Sequence, residues 1–247
     1  MDVLDNYQRR DPRFRIVVRP FDLKKGAPTC RNYGFRLARG QYIQWFDSDD
    51  IMLPEMIEKK VKQLEDDRNN QFVVAKMGEF ETLDRIRYPR QIVASEEILY
   101  DLLRFKVKFF TCGPLFRKEF LLGTLLFDGN LKRHQEGEFF LRLMMDRPSY
   151  SVIDEYLSLR RIHSDSIRSS LAEKEQRTAF YFFLVRVLEY AVNNRKLLFL
   201  NKKIMDFYRG WSRSALKFFL QFKDPSFLIY ALRIYFLLRQ TKRLLNK

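Results

Sequence analysis

Cysteine is nearly absent from this chain. The two that occur, Cys30 and Cys112, have neither the spacing of a metal site nor the number needed for a disulfide framework. The first residues lack the basic and apolar layout of a signal peptide. The longest apolar run, residues 227–238, is interrupted by Arg233 and is too short to span a bilayer. These absences predict a protein of the reducing cytoplasm without a transmembrane helix.

Acidic residues are scarce in the last third of the chain. Residues 171–247 contain 16 Lys and Arg against 5 Asp and Glu, so they contribute +11 of the net charge of +15. The same segment is rich in aromatic residues. A basic, aromatic segment favours an anionic surface as its partner, either lipid headgroups or nucleic acid. Because no nucleic-acid-binding motif supports the second partner, nucleic acid is disfavoured.

The most informative segment is a strand-like run that ends in carboxylates. It reads Gln41-Tyr-Ile-Gln-Trp-Phe-Asp47-Ser48-Asp49-Asp50. Open α/β sheets bind ligands at the carboxyl ends of their strands. Carboxylates this close raise each other's pKa unless a cation lies among them. One interpretation is therefore a divalent metal with a phosphorylated substrate, and the other is an acidic turn that caps the next helix.

The hydrophobic pattern predicts an α/β body followed by helices. Residues 14–19 and 42–46 are predicted strands on either side of a helix over residues 29–38, which indicates a parallel crossover unit. Further strands are predicted over residues 71–76, 109–116, 151–153 and 157–162, and helices over residues 54–65, 95–104 and 136–145. Past residue 170 only helices are predicted, over residues 173–193, 200–222 and 225–245.

Three segments, in order and spacing, resemble the family 2 glycosyltransferases, whose fold is GT-A. In this chain they read Gly26-Ala-Pro-Thr-Cys30-Arg31-Asn32-Tyr-Gly34, then Ala38-Arg-Gly40-Gln-Tyr42-Ile43, then Asp47-Ser48-Asp49-Asp50. Cys30 replaces an alanine of the family, which exchanges one small residue for another. The resemblance implies a GT-A (nucleotide-diphospho-sugar transferase) sheet and transfer of a sugar from a nucleotide-sugar donor, of UDP type, to a hydroxyl acceptor.

The resemblance also implies roles for residues of the first and third segments. Asp47 and Asp49 are expected to face the donor, and Asp49 is the expected ligand of Mg²⁺ or Mn²⁺. A metal placed there stabilises the negative charge on the departing nucleoside diphosphate. Arg31, on the helix before the strand, is expected to contact the nucleotide or its diphosphate. The alternative is that Arg31 is a surface residue of an amphipathic helix.

A further segment resembles the family region that supplies the catalytic base. It reads Phe127-Asp128-Gly-Asn-Leu131-Lys-Arg-His134-Gln135-Glu136-Gly-Glu138. In this register Glu136 takes the place of the family's aspartate, which removes the acceptor proton in inverting members. Glu138 is a rival that the register disfavours, and Gln135 cannot act as a base. Alternatively, both glutamates simply stabilise the start of a helix.

The last matching segment is Leu159-Arg160-Arg161-Ile162-His163, which resembles the family's closing Tyr-Arg-x-His. It implies that Arg160 and His163 bind the donor diphosphate. A lone histidine at the end of a strand is also common as a structural residue, so both interpretations of His163 stay open. His134 is expected to lie in a loop near the acceptor or to be inert.

The strand-helix-strand unit with which the family begins has no counterpart in this sequence. We therefore expect an N-terminally truncated GT-A domain over residues 1–170, lacking that unit, and a basic helical segment over residues 171–247. The expected function is inverting sugar transfer in surface polysaccharide or lipopolysaccharide biosynthesis. A catalytically impaired remnant that binds a membrane or a partner protein is the alternative.

Residues 171–247 interleave aromatic and basic residues at helical spacing. This pattern favours an interfacial helix on anionic lipid. Such a helix would place the protein at the inner face of the cytoplasmic membrane, beside a saccharide or lipid-linked acceptor. The alternative is a helical appendage whose aromatic residues pack on the catalytic body.

Overall fold

A computed structural model describes residues 2–162, 172–196 and 198–245 of the chain. Its helices are α1 (Asp2–Arg10), α2 (Ala27–Leu37), α3 (Met56–Asp66), α4 (Ile98–Leu103), α5 (Lys118–Leu121), α6 (Gln135–Met144), α7 (Glu173–Asn193), α8 (Lys202–Phe222) and α9 (Pro225–Leu245). Its strands are β1 (Tyr42–Ile43), β2 (Ile51–Met52), β3 (Phe72–Phe80), β4 (Ile86–Arg87), β5 (Pro114–Arg117) and β6 (Tyr150–Arg161).

The strands form one mixed sheet. Their order is β1-β5-β3-β6-β2, and β4 forms a hairpin with β3. β3 and β6 are parallel, whereas the other pairs between described strands are antiparallel. The apolar run Phe72-Val-Val-Ala75 is fully buried in β3, as expected for a central strand covered on both faces. The predicted α/β class is confirmed.

The prediction of a strand over residues 14–19 is wrong. The segment is irregular and leaves Phe14, Val17 and Val18 between 45% and 76% exposed. A strand needs a hydrogen-bonded neighbour to satisfy its backbone, and none of the described strands lies beside this segment. β1 pairs antiparallel with β5 instead. The predicted parallel crossover between residues 14–19 and 42–46 is therefore not formed.

The later strands also differ from their predictions. The two short strands predicted over residues 151–153 and 157–162 are one strand, β6. Its pairing with β3 shifts register after Ala75, and Asp154 and Glu155 occupy the irregular stretch. Such a bulge interrupts the apolar pattern without ending the strand. The strand predicted over residues 109–116 is reduced to β5, because the chain turns just before it, where Gly113 N donates to Phe110 O.

The helical region shares a hydrophobic core with the sheet-bearing part. Tyr181, Phe183 and Leu184 of α7 are fully buried in the same cluster as Phe139 and Phe140 of α6. α8 and α9 pack on each other and on α7. Many aromatic residues of the last third are thus packed inside the protein. No described helix combines the length and the apolar character that a membrane span requires.

Candidate active site

The acidic turn follows β1 and precedes β2. Its backbone closes where Asp50 N donates to Asp47 O at 3.2 Å. Trp45, two residues earlier, is buried against the rings of Phe116, Phe127 and Phe139 and anchors the extended chain in the core. Side chains of an extended segment alternate in direction, so residues two apart lie on the same side. Asp47 therefore lies on the side of the buried Trp45 and is half-buried at the edge of the core.

Arg31 of α2 joins the acidic turn to the start of α6. Its Nη2 donates to Asp47 Oδ1 at 2.7 Å, and its Nη1 lies 3.3 Å from Gln135 Oε1 and 3.6 Å from Glu136 Oε1. The guanidinium also lies over the Phe127 ring, and the side chain is only 11% exposed. The surface-residue interpretation of Arg31 is therefore wrong. Arg31 therefore lies between Asp47, which is predicted to face the nucleotide-sugar, and Glu136, the predicted base.

Glu136 is held from two sides at the first turn of α6. Thr111, a buried residue before β5, donates its Oγ1 hydrogen to Glu136 Oε1 at 3.1 Å, and Arg31 lies on the other side. The carboxylate is about one third exposed, so a proton acceptor at this position could still meet a substrate. A helix N-terminus stabilises a negative charge. Thr111 did not stand out in the sequence, because only the fold brings it to α6.

Glu138 lies on the same helix in a different environment. It is buried and ion-paired with Arg142, whose guanidinium also donates to the backbone oxygens of Leu125 and Leu126. Burial raises the pKa of the Glu138 carboxyl, and Arg142 opposes this shift. The pair holds the loop that leads into residues 127–135. Glu138 thus has a structural contact set, whereas Glu136 faces Arg31 and Thr111.

The Asp50 carboxylate points inward and joins the acidic turn to β6. Its Oδ1 accepts from Arg161 N at 3.1 Å, and Cys112 Sγ lies 3.3 Å from its Oδ2. Burial raises the pKa of the Asp50 carboxyl, and the nearby charges of Asp47 and Asp49 add to this shift. Arg161 also donates its Nε hydrogen to Asp49 O. The family resemblance gave no role to Arg161, but this residue of β6 contacts the acidic turn.

Arg160 points away from the turn residues, toward the neighbouring strand. It pairs with Glu79 of β3, the residue opposite it in the register, and lies over the Phe110 ring. Its expected donor role stays a prediction. His163 lies outside the described residues. His134 is surrounded by the rings of three phenylalanines, Phe105, Phe180 and Phe183.

A cleft of about 550 Å³ opens between α2 and the segment that carries the acidic turn. Its polar lining includes Arg31, Asp47 and Ser48, and its apolar lining includes Phe35 and Trp45. A concave site with an apolar wall and a few converging polar groups is the usual form of a small-molecule site. The cleft is therefore lined by Arg31 and by Asp47, the carboxylate of the acidic turn with which Arg31 pairs.

The sequence of this part of the chain matches a known family. The family model described as Glycosyl transferase family 2 matches residues 2–122. The match covers just under half of the chain, and over these residues the chain is similar to glycosyl transferase family 2. The matched region contains Arg31 and the acidic turn, whereas Glu136 lies beyond it.

Two proteins named as glycosyltransferases and one named for teichoic acid biosynthesis are similar in sequence to about two thirds or more of this chain. The chain is 27% identical over 192 residues to glycosyltransferase MJ1057 of Methanocaldococcus jannaschii, covering 73% of this chain and 61% of that protein. It is 25% identical over 177 residues to glycosyltransferase EpsJ of Bacillus subtilis, covering 67% and 50%. It is 22% identical over 168 residues to the minor teichoic acid biosynthesis protein GgaB of Bacillus subtilis, covering 65% and 18%. This chain thus spans about half to three fifths of the length of the first two relatives.

A solved structure shares the fold. The crystal structure of residues 1–349 of Staphylococcus aureus TarS superposes with a TM-score of 0.53 at 14% identity, covering 97% of this chain and 74% of that one. Similarity at this level establishes the fold, and with the family match it confirms the predicted GT-A architecture.

The family implies a divalent metal, and the acidic turn can be tested for it. The described residues contain no group of three or more His, Cys, Asp or Glu side chains placed around one metal. Asp47 pairs with Arg31 and Asp50 turns inward, whereas Asp49 is exposed. Mg²⁺ is usually held by one or two carboxylates together with substrate phosphates and water. The turn therefore fits a metal that arrives with a diphosphate, rather than one held by protein ligands alone.

Proposed function

We propose that this chain carries the transfer site of a glycosyltransferase that moves a sugar from a nucleotide-sugar to a hydroxyl acceptor with inversion. The observation that carries the proposal is the contact set of Arg31, which reaches Asp47 of the acidic turn and Glu136 of α6. A donor phosphate at the turn and an acceptor hydroxyl at Glu136 would then lie on two sides of one site. The match of residues 2–122 to glycosyl transferase family 2 supports the reaction class.

Glu136 is the proposed base. It would accept the proton of the acceptor hydroxyl while that oxygen forms a bond to the anomeric carbon. The bond from that carbon to the diphosphate oxygen breaks, and the electron pair leaves with the nucleoside diphosphate. The hydrogen bond from Thr111 and the charge of Arg31 orient the carboxylate before the reaction. Its burial and its pairing with Arg142 argue against Glu138 in this role.

Asp49 is the proposed metal ligand, and Asp47 and Arg31 are the proposed donor contacts. A bound Mg²⁺ or Mn²⁺ would offset the negative charge that develops on the diphosphate. Some N–H groups of the Arg31 guanidinium would donate to the Asp47 carboxylate and others to a phosphate oxygen, which suits its planar arrangement of five donors. Arg160 and His163 remain proposed diphosphate contacts from the end of β6 and beyond.

The proposed acceptor class is a cell-surface polymer or its lipid-linked precursor. The support is the similarity to a protein named for minor teichoic acid biosynthesis. UDP is the proposed nucleotide part of the donor. The reaction class rests on the site, whereas the acceptor class rests on this similarity alone.

The metal and donor part of the proposal is tested by calorimetric titration of the chain with UDP, with and without Mn²⁺. We expect binding that requires the metal and that Asp49→Asn abolishes. Asp66→Asn is the matched control, because Asp66 is an exposed carboxylate at the end of α3, paired with Lys62. Metal-independent binding, or an Asp49→Asn variant that binds as well as the wild type, contradicts the assignment. No binding by a folded chain favours the remnant alternative.

The base is tested separately by Glu136→Gln. We expect this variant to keep UDP binding and to lose sugar transfer to acceptor by about a hundredfold or more, since general-base catalysis contributes about 10²–10⁴. Glu175→Gln is the matched control, because Glu175 is also an acidic residue of a first helical turn. Full transfer activity in Glu136→Gln would disprove the role of Glu136.

A further inference from the structure

α9 has two apolar faces, although it packs on the protein with one. Phe227, Ala231, Ile234 and Leu238 are buried and recur every three or four residues, so they form the packed face. Ile229, Leu232 and Phe236 show the same spacing on a different side and are exposed. A solvated helix normally places polar residues there. The exposed row of apolar residues therefore indicates a surface of α9 that a binding partner covers when the protein functions.

The neighbouring helix contributes to the same kind of surface. Leu216 and Leu220 lie one turn apart on α8 and are exposed. With the α9 residues they form a set of six apolar side chains that are between 45% and 74% exposed. We call this set the hairpin face: Leu216, Leu220, Ile229, Leu232, Tyr235 and Phe236. On the surface of a folded protein, an exposed group of apolar side chains often marks an interaction site.

Positive charge accompanies the hairpin face. Residues 202–245 contain ten Lys and Arg but only two acidic residues. Both acids are neutralised within the protein, Asp206 by Arg209 and Asp224 by Lys174. Within the described chain, seven of the ten cations form no ion pair: Lys202, Arg213, Lys217, Lys223, Arg239, Lys242 and Arg243. Their charge is therefore available to an external anion.

The cations share faces with the exposed apolar residues. On α8, Arg213 and Lys217 lie three positions before Leu216 and Leu220 respectively. On α9, Arg239 follows Phe236 by three positions and lies over the Tyr235 ring. Long basic side chains can extend past neighbouring apolar groups and keep their charge at the level of phosphates. Apolar and cationic groups on one face match the two layers of a membrane interface.

We propose that the hairpin face binds the surface of a bilayer that contains anionic lipid. The apolar side chains would enter the boundary between headgroups and acyl chains, and the cations around them would contact lipid phosphates. The contact would be interfacial, because α8 and α9 pack on the protein with their other sides and offer only the outer side to the bilayer. This proposal goes beyond the transfer reaction and does not depend on it.

Two other occupants fit the surface less well. A nucleic acid would pair with the cations but would leave the apolar side chains of the hairpin face without apolar partners, because its outer surface is polyanionic. A second copy of the chain would place two strongly positive hairpins against each other in a self-complementary contact. Only a partner that is anionic at its surface and apolar just beneath it satisfies both features of the face.

The surface is connected to the candidate active site by packed aromatic rings. Phe180 of α7 lies 4.7 Å from the Trp211 ring of α8 and 5.6 Å from the His134 ring, measured between ring centroids. His134 precedes Glu136 by two residues. A chain bound through the hairpin face would therefore hold its proposed transfer site at a constant distance from the membrane, where lipid-linked acceptors are located.

The test uses flotation of the full chain with lipid vesicles. One set contains phosphatidylcholine alone and the other adds about 30% phosphatidylglycerol, each at about 0.1 M and about 0.5 M salt. We expect binding to the anionic vesicles at low salt, at least about tenfold weaker binding to the neutral ones, and partial release at high salt. A folded chain that floats with neither set overturns the proposal.

Two paired variants separate the apolar and the ionic contributions. Leu232→Gln with Phe236→Gln should reduce vesicle binding at least about tenfold, and Arg239→Gln with Arg243→Gln should reduce it and weaken its salt dependence. The matched control is Leu83→Gln with Leu122→Gln, which removes two exposed leucines of the sheet-bearing part. Circular dichroism and thermal melting establish that each variant folds.

Three results contradict the proposal. The first is vesicle binding that the hairpin variants leave unchanged. The second is a dimer, detected by light scattering, that Phe236→Gln dissociates, because the hairpin face would then be covered by a second copy. The third is retention of the chain on RNA or DNA without binding to anionic vesicles. UDP titration is measured on the same samples, so loss of lipid binding and failure of the transfer site are distinguished.

Discussion

Lys60 is a buried cation beneath the acidic turn, and its replacement by methionine is a quantitative test of the structure. The residue belongs to α3 and is fully buried. Its Nζ donates to Gln44 Oε1 at 3.0 Å and to Cys112 O at 3.2 Å. These contacts join the segment before the acidic turn to the loop that carries Thr111. Burial lowers the pKa of Lys60 from 10.5 to about 7.

The lowered pKa sets the size and the sign of the effect. Since a tenfold change in a protonation equilibrium equals about 1.4 kcal/mol, the ammonium costs the folded state up to about 5 kcal/mol below pH 7. The unfolded chain binds the proton up to pH 10.5, so this cost falls as the pH rises from 7 to 10.5. Between pH 7 and pH 9 it should fall by about 2 kcal/mol.

Lys60→Met removes the charge and keeps an unbranched side chain of similar length. The substitution leaves Gln44 Oε1 without its donor, which costs about 1–3 kcal/mol, whereas Cys112 O keeps the hydrogen bond from Gln44 Nε2 at 3.2 Å. That loss does not depend on pH, whereas the removed charge does. The free energy of unfolding of the variant minus that of the wild type should therefore decrease by about 2 kcal/mol from pH 7 to pH 9.

Urea denaturation at pH 7, 8 and 9, followed by circular dichroism, measures this difference. Lys59→Met is the matched control. Lys59 is partly exposed and pairs with Glu155 and Glu55, which raise its pKa, so its difference from the wild type should stay constant over the same range. A pH-independent difference for Lys60→Met would refute a buried ammonium at this position.

Three further predictions concern buried contacts near the site. Thr111→Val should lower the turnover number of sugar transfer at least about tenfold, because a hydrogen bond to the charged Glu136 contributes about 1.5–3 kcal/mol; steady-state kinetics with an unchanged melting temperature checks it. Arg142→Met should cost about 3–5 kcal/mol in urea denaturation, because it leaves the Glu138 charge buried and unpaired. Gly78→Ala should cost about 1–3 kcal/mol, because a Cβ would lie 3.1 Å from a β4 backbone oxygen.

Each of these has a result that contradicts it. A Thr111→Val variant with wild-type turnover would mean that Glu136 is oriented by Arg31 alone. If the double variant of Arg142→Met and Glu138→Gln is no more stable than Arg142→Met, the loss does not come from an unpaired carboxylate. A Gly78→Ala variant as stable as the wild type would mean that β3 and β4 can separate without cost.

Local sequence was sufficient for the long helices. α7 and α9 begin and end at the predicted residues, Glu173–Asn193 and Pro225–Leu245, and α6 differs by one residue at each end. Helical hydrogen bonds join residues four apart, so the information lies within each segment. The family also followed from local motifs, and the family match bears it out. Local sequence also predicted that the acidic turn follows a strand, because the strand-like residues and the carboxylates lie within one segment.

The strands depended on partners that are distant in the sequence. Residues 14–19 have a strand-like composition but form no strand among the described residues, whereas β2 was not predicted and forms because Ile51 and Met52 pair with Leu159 and Ser158 of β6. A strand is stabilised by its neighbours rather than by its own residues. Composition therefore identified candidate strands, and only the sheet decided which of them form.

The site shows the same division. The sequence by itself determined which residue types were available: an arginine on α2, carboxylates after β1 and two glutamates at the start of α6. Only the tertiary structure gave Glu136 and Glu138, which lie on different sides of one helix, their different neighbours. Glu136 meets Arg31 and Thr111, and Glu138 is buried with Arg142. The physical reason is that a side chain's ionisation and access depend on what packs around it, and those neighbours come from other parts of the chain.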